Sequence, residues 1–204
     1  QALGASQGDF PRIIIAPLSM TDSFETPALA FNVADRYQCP VIILTDLLIA
    51  EGSETVDPAL LDVDFTIDRG ELITSASGAG KKGGADAGEP YLRYKNTESG
   101  ISPRAVPGVP GHIHVAASDE HDEDGVLLSD VFTDTVRRKK MADKRVRKME
   151  TVLEHLPAPT LVGPPDAEVT LVGWGSTWGV LTEAVEQLNR EGISTSHLQI
   201  KFLV

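Results

Sequence analysis

Residues 10–18 read Phe-Pro-Arg-Ile-Ile-Ile-Ala-Pro-Leu, and residues 40–44 read Pro-Val-Ile-Ile-Leu. Both are short β-branched runs bounded by proline and apolar without alternation, the pattern of a strand covered on both faces. About one helix's worth of chain separates them. There Asp22 or Ser23 is expected to cap a helix in which Phe24, Ala28, Phe31 and Ala34 share one stripe, with Pro27 tolerable only near the first turn. Strand, helix and strand in that order form the βαβ unit of a parallel sheet.

The far end of the chain repeats the logic. Residues 168–175 (EVTLVGWG) read as a strand, residues 176–192 as a helix ended by Gly192, and residues 194–204 (STSHLQIKFLV) as a second strand. Between the two modules periodicity fades. Residues 75–90 (SASGAGKKGGADAGEP) are too small and polar to order themselves by burial. Residues 91–111, with Tyr91, Tyr94 and several prolines, suit a segment pinned against a folded surface. From Ser129 or Asp130 a long amphipathic helix is expected over about 130–156. It carries Val131, Val136, Met141, Val146, Met149 and Leu153, and Pro157 and Pro159 stop it. The fold class is therefore α/β, with two incomplete parallel-sheet modules (1–56 and 161–204) joined by a long connector (57–160) that contains the helix. Each module lacks neighbours for its strands, so a piece of a longer polypeptide is expected.

The chain has 204 residues, 41% of them hydrophobic, and 30 acidic against 18 basic side chains give a formal net charge of −12. That acid excess repels phosphate backbones and anionic lipid surfaces, so neither nucleic acid nor membrane is an expected partner. Cys39 is the one cysteine, which excludes an internal disulfide, a four-cysteine zinc site and an iron–sulfur cluster held by this chain alone. With no basic-then-apolar leader and no apolar run near the roughly 18 residues of a membrane span, the expected compartment is the cytoplasm.

Several local signals carry possible chemistry. Residues 173–179 (GWGSTWG) lie between a strand and a helix, where a glycine-rich phosphate cradle would sit, but the glycine spacing departs from the dinucleotide fingerprint and favours a tight helix–sheet turn. Residues 78–84 (GAGKKGG) evoke a P-loop but place Lys82 where Ser or Thr should bind magnesium, and read as linker. His112, His114, His121, Asp122, Glu123 and Asp124 have metal-ligand chemistry at unconvincing spacing; no metal is assigned. A neighbouring carboxylate would raise the pKa of His121 and make it a proton-transfer candidate. Eight basic residues between Arg137 and Lys148 suit either a solvated helix face, the commoner case, or docking on an acidic partner.

Taken in order, GDFPRIIIAP, PVIILTD, YLRYKNTESGISPRAVPGVPG, DEHDEDG, RRKKMADKRVRKME, LVGWGSTWG and HLQIKFL resemble the α subunit of 2-oxoacid:ferredoxin oxidoreductases, most closely the 2-oxoglutarate type. The resemblance runs over essentially the whole chain except residues 57–90. It implies that residues 1–56 are the later part of a thiamin pyrimidine-binding-like domain and residues 161–204 the start of a transketolase C-terminal-like domain, a fragment lacking both ends. It further implies CoA-dependent oxidative decarboxylation of 2-oxoglutarate to succinyl-CoA, with electrons passed to ferredoxin. Pyruvate or a branched-chain 2-oxoacid is the alternative substrate, and a non-catalytic assembly module the alternative role. Thiamin diphosphate, magnesium and a [4Fe-4S] cluster would be held mainly by a partner β subunit. No catalytic residue is implied within this chain. Asp46, Arg104 and His121 are candidates for positions near the site: Arg104 either binds a substrate carboxylate or CoA phosphate or ties the connector to the domain surface, and Asp46 alternatively caps a helix.

Overall fold

The computed structural model describes residues 1–8, 10–75, 90–116, 119–128 and 134–204. The P-loop-like run and the expected helix start at 129–130 lie outside these residues. Strand β1 (Ile13–Ile15) is fully buried and pairs in parallel with β2 (Val41–Ile43), Ile13 opposite Val41, as the two apolar runs require.

Helix α1 (Met20–Tyr37) connects them and starts earlier than Asp22 or Ser23. Ser19 is its N-cap and accepts the Asp22 backbone N–H, while the Asp22 carboxylate accepts from Leu18 N at 2.8 Å. Pro27 consequently lies inside the helix and not in its first turn. The buried face also differs from the expected stripe. It is Thr26, Ala30, Val33 and Tyr37, whereas Phe31 is 77% exposed. The physical reason is a second apolar surface: Phe24 and Phe31 look toward residues 63–67 of the connector, with the Phe24 and Phe65 ring centroids 6.1 Å apart. Asn32 secures that segment by donating to Thr66 O and accepting from Asp68 N.

A short helix α2 (Leu47–Glu51) follows β2. The connector then contributes two-residue strands β3 (Leu72–Ile73) and β4 (Arg104–Ala105), paired in parallel. Helix α3 (Thr135–His155) begins at N-cap Asp134, which accepts from Val136 and Arg137 N–H. Its buried residues are Met141, Lys144 and Val152, so Val136, Val146 and Leu153 of the expected stripe face solvent. Val152 enters the main core with Ile13, Ile15, Ala30, Val33, Tyr37 and Cys39.

The second module holds β5 (Thr160–Val162), β6 (Val169–Trp174), α4 (Thr177–Arg190) and β7 (Thr195–Ile200), with strand order β5-β7-β6. β6 and β7 are parallel, as the strand–helix–strand reading requires; β5 runs antiparallel to β7. The chain then passes Lys201 into β8 (Phe202–Leu203), which pairs antiparallel with β1. The expected parallel pairs β1–β2 and β6–β7 are thus each extended by an antiparallel strand into two small mixed sheets joined through one stretch of chain, because the apolar β1 edge recruits the equally apolar Phe202–Leu203. Lys201 fastens the junction: its carbonyl accepts from Ala16 N at 2.9 Å and its ammonium pairs with Asp22. No helix among the described residues is long and apolar enough to cross a membrane.

Candidate functional site

Ligands of open α/β sheets gather outside the carboxyl ends of the strands, and in this chain the carboxyl ends of β1, β2 and β6 converge. Asp46 follows β2 and caps α2 by accepting from Ile49 N at 3.2 Å. Its second carboxylate oxygen accepts the hydroxyl proton of Ser176, the residue before α4 and 130 positions away in sequence. The Ser176 and Ile49 bonds hold the Asp46 carboxyl below its ordinary range, the Ser176 bond being the larger cause. Beside them Gly175, at φ +56°, brings the 173–177 turn against Ala16 and Pro17, and its carbonyl accepts from the buried Gln199 amide at 2.9 Å. At Gly173 a side chain would strike Leu181 and Thr177, so this glycine permits α4 to lie on β6. The GWGST run therefore builds the tight helix–sheet turn.

The connector forms a second locus around His121. Its ring lies 3.6 Å, centroid to centroid, from Tyr94, and Nδ1 is 3.2 Å from Asp122 O. Burial lowers the pKa of His121 and outweighs the expected upward pull of the neighbouring Asp122. The nearby acids are occupied. Asp122 pairs with Arg137 at 3.0 Å, Glu120 with Arg138 at 2.9 Å and with Arg145, and Glu123 with Lys140. The basic run of α3 is accordingly no simple solvated face: it docks on the acidic loop of its own chain. His112 and His114 turn toward Tyr91, ring centroids 4.9 and 5.9 Å away. Among the described residues no three His, Cys, Asp or Glu side chains are grouped to hold a metal.

Between α3 and residues 93–102 lies a half-enclosed cleft of about 650 Å³, lined by His121, Tyr94, Arg93, Lys144, Lys148 and Glu120 among others. Lys144 is 7% exposed and donates to Tyr94 O (2.8 Å) and Ser102 Oγ (2.6 Å); Lys148 donates to Gln38 O (2.9 Å). Burial, then the charges of Lys148 and Arg93, lower the Lys144 pKa to about 7. Lysines at this depth are invisible to a search for apolar stripes. The available signal is that Met141, Lys144, Lys148 and Val152 recur at helical spacing, apolar at both ends and cationic in the middle. A further unforeseen residue is His197 on β7, fully buried beside Trp178 with both ring nitrogens unpartnered among the described residues.

Of the three sequence candidates, Asp46 joins the strand-end junction and His121 lines the cleft. Arg104 belongs to neither: it pairs with Asp35 of α1 at 3.3 Å and donates to Arg69 O at 3.4 Å, fixing the connector to the first module. Cys39, buried in the core, offers one thiolate where a cluster needs several, and no group of metal ligands faces the strand ends, so neither cluster nor magnesium fits the described residues.

No family model matches the chain. A 2-oxoacid:ferredoxin oxidoreductase α subunit of Saccharolobus solfataricus is 32% identical over 98% of this chain and 30% of its own length. The 2-oxoglutarate oxidoreductase subunit KorA of Mycobacterium tuberculosis is 31% identical over 100% of this chain and 29% of its own. In structure the chain matches the 2-oxoglutarate:ferredoxin oxidoreductase of Magnetococcus marinus, solved with 2-oxoglutarate, coenzyme A and succinyl-CoA bound, at TM-score 0.78 and 30% identity over 99% of this chain and 32% of that one. The chain thus spans about 30% of the length of these curated relatives.

Proposed function

Because the chain is related along its whole length to a segment of the α subunits of 2-oxoacid:ferredoxin oxidoreductases, we propose that it serves as part of an enzyme oxidising 2-oxoglutarate to succinyl-CoA and carbon dioxide, with ferredoxin as electron acceptor. The observation that carries this reading is the likeness to the Magnetococcus marinus protein, which holds that substrate and that product. In this reading residues 1–56 end a pyrimidine-binding-like domain, residues 161–204 begin a transketolase C-terminal-like domain, and the β subunit supplies the metal and cluster. Thiamin diphosphate supplies the carbanion chemistry when bound in the assembled protein. This chain's residues act as wall and joint. Asp46 and Ser176 lock the two sheets so that the ends of β2 and β6 form one rigid surface, while Arg104 ties the connector to α1 and His121 stacks on Tyr94 within the connector. A cytoplasmic setting accords with the free, buried Cys39.

A broader 2-oxoacid specificity is the second reading, favoured by the Saccharolobus relative, which is named for 2-oxoacids at large. Assays of the full-length protein with its β subunit, coenzyme A and a low-potential acceptor separate the two. We expect kcat/KM at least tenfold higher for 2-oxoglutarate than for pyruvate or 2-oxoisovalerate. A preference for either of those acids overturns the substrate assignment, and no turnover with any of them overturns the enzyme reading.

A further inference from the structure

We propose that the cleft between α3 and residues 93–102, with Arg93, Lys144 and Lys148 as its cationic end, is a binding site for a phosphoryl oxyanion. The first ground is charge accounting. The chain carries an excess of acid, yet these three cations have no carboxylate partner among the described residues. Of the two acids lining the cleft, Glu120 is held by Arg138 and Arg145 and Asp119 is exposed; nearby Glu123 is held by Lys140. Arg93 lies 5.3 Å over the Tyr94 ring, with no hydrogen bond or ion pair to a described residue. Like charges kept this close in a half-buried cleft are costly unless an anion completes them.

The second ground is construction. Gly100, at φ +74°, sits so close that a Cβ would come within 2.5 Å of Lys144 O and 2.6 Å of Lys148 N. The 97–102 turn is thereby pressed onto the helix between these two lysines. Ser102 and Tyr94 then orient the Lys144 ammonium with two acceptors, leaving one of its three donors free, while Lys148 keeps two and Arg93 all of its own. A cleft of about 650 Å³ admits a small molecule rather than a protein surface. Three cations with many free N–H groups match a multiply charged tetrahedral anion better than a single carboxylate. The depressed Lys144 pKa adds a signature: a bound anion restores its charge, so binding draws a proton from solvent. The groups facing Lys144 are Lys148, Arg145 and Arg93, against Glu123, with His121 in the same cleft.

Titration calorimetry on the full-length assembled protein tests this, using inorganic phosphate, pyrophosphate and ADP at matched ionic strength in two buffers of different ionisation enthalpy at pH 8. We expect saturable pyrophosphate binding with proton uptake, weakened at least tenfold in Arg93→Gln and Lys148→Gln and unchanged in Lys139→Gln, whose lysine pairs with Asp143 on the outer face of α3. Melting curves confirm that the variants are folded, and the Arg93 change breaks no hydrogen bond to a described residue. ADP binding tighter than pyrophosphate identifies a phosphoryl group carried on a nucleotide; the reverse identifies the free ion. The proposal is overturned by no saturable binding of any probe, by equal affinity in both cleft variants, or by binding of a polyglutamate peptide alone, which assigns the cleft to an acidic protein.

Discussion

Lys144 and Asp46 both titrate below their ordinary values for different reasons: hydrogen bonds favour the charged form of Asp46, and burial penalises the charged form of Lys144. Asp46 is exposed, and its carboxylate is favoured by donors from Ser176 and Ile49, so its pKa falls. A carboxylate with a depressed folded pKa contributes stability above its unfolded pKa and loses it as pH falls through the folded value. We therefore expect carbon-detected NMR titration to show Asp46 ionising below the ordinary aspartate range, and Ser176→Ala to move it upward; an unmoved titration contradicts the bond. Lys144 is buried among cations, and its folded pKa of about 7 lies below the ordinary 10.5. Between those values the unfolded chain holds a proton that the folded chain lacks, so this group makes stability rise with pH from about 7 to 10. Urea denaturation at pH 7 and pH 9.5 should show that rise, with a smaller rise in Lys144→Met. An equal rise in both proteins contradicts the assignment.

Among the elements, α3 shows why part of the structure was legible in the sequence and part was not. β1 and β2 were readable because uniform Ile and Val runs between prolines have few other homes. The existence of α3 was readable from its spacing and its proline stop, yet its orientation was not, because two lysines occupy its inward face. The same holds for α1, where two apolar stripes compete and Phe31, on the more conspicuous one, lies largely outside. Pairing of the basic run with residues 120–123 was within reach, since opposite charge blocks lay next to one another in sequence, but composition alone does not say whether such blocks meet each other or solvent. Glu120 accepts from two arginines with little solvent to screen it. We expect Glu120→Gln to cost about 1–2 kcal/mol by urea denaturation, below the middle of the ~1.5–3 kcal/mol range for a charged hydrogen bond because Arg138 is half exposed; a loss within error contradicts the docking. Gly100→Ala combines positive φ with overpacking against α3, and should cost about 3 kcal/mol or more. A neutral result would mean that the turn does not press on the helix.

At the scale of the whole molecule, the two modules depend on one another. The links lie in single polar residues, Lys201 to Asp22 and Ser176 to Asp46, which neither module shows when read alone. Each crosses between segments too distant in sequence for any periodicity to reveal. Together with the β8–β1 pairing they make one shared edge from the carboxyl ends of β1, β2 and β6. A rigid edge of that kind is what a cofactor pocket assembled from several polypeptide segments requires. The direct test of this junction replaces Asp46 and Ser176 by cysteine in the full-length protein and adds dibromobimane, which fluoresces when both its arms have reacted with neighbouring thiols. Cys39, buried in the core, is a poor competitor. The account predicts rapid cross-linking of 46 to 176 in the folded protein and none after denaturation. Free, separately modified thiols at both positions in the folded protein would contradict it.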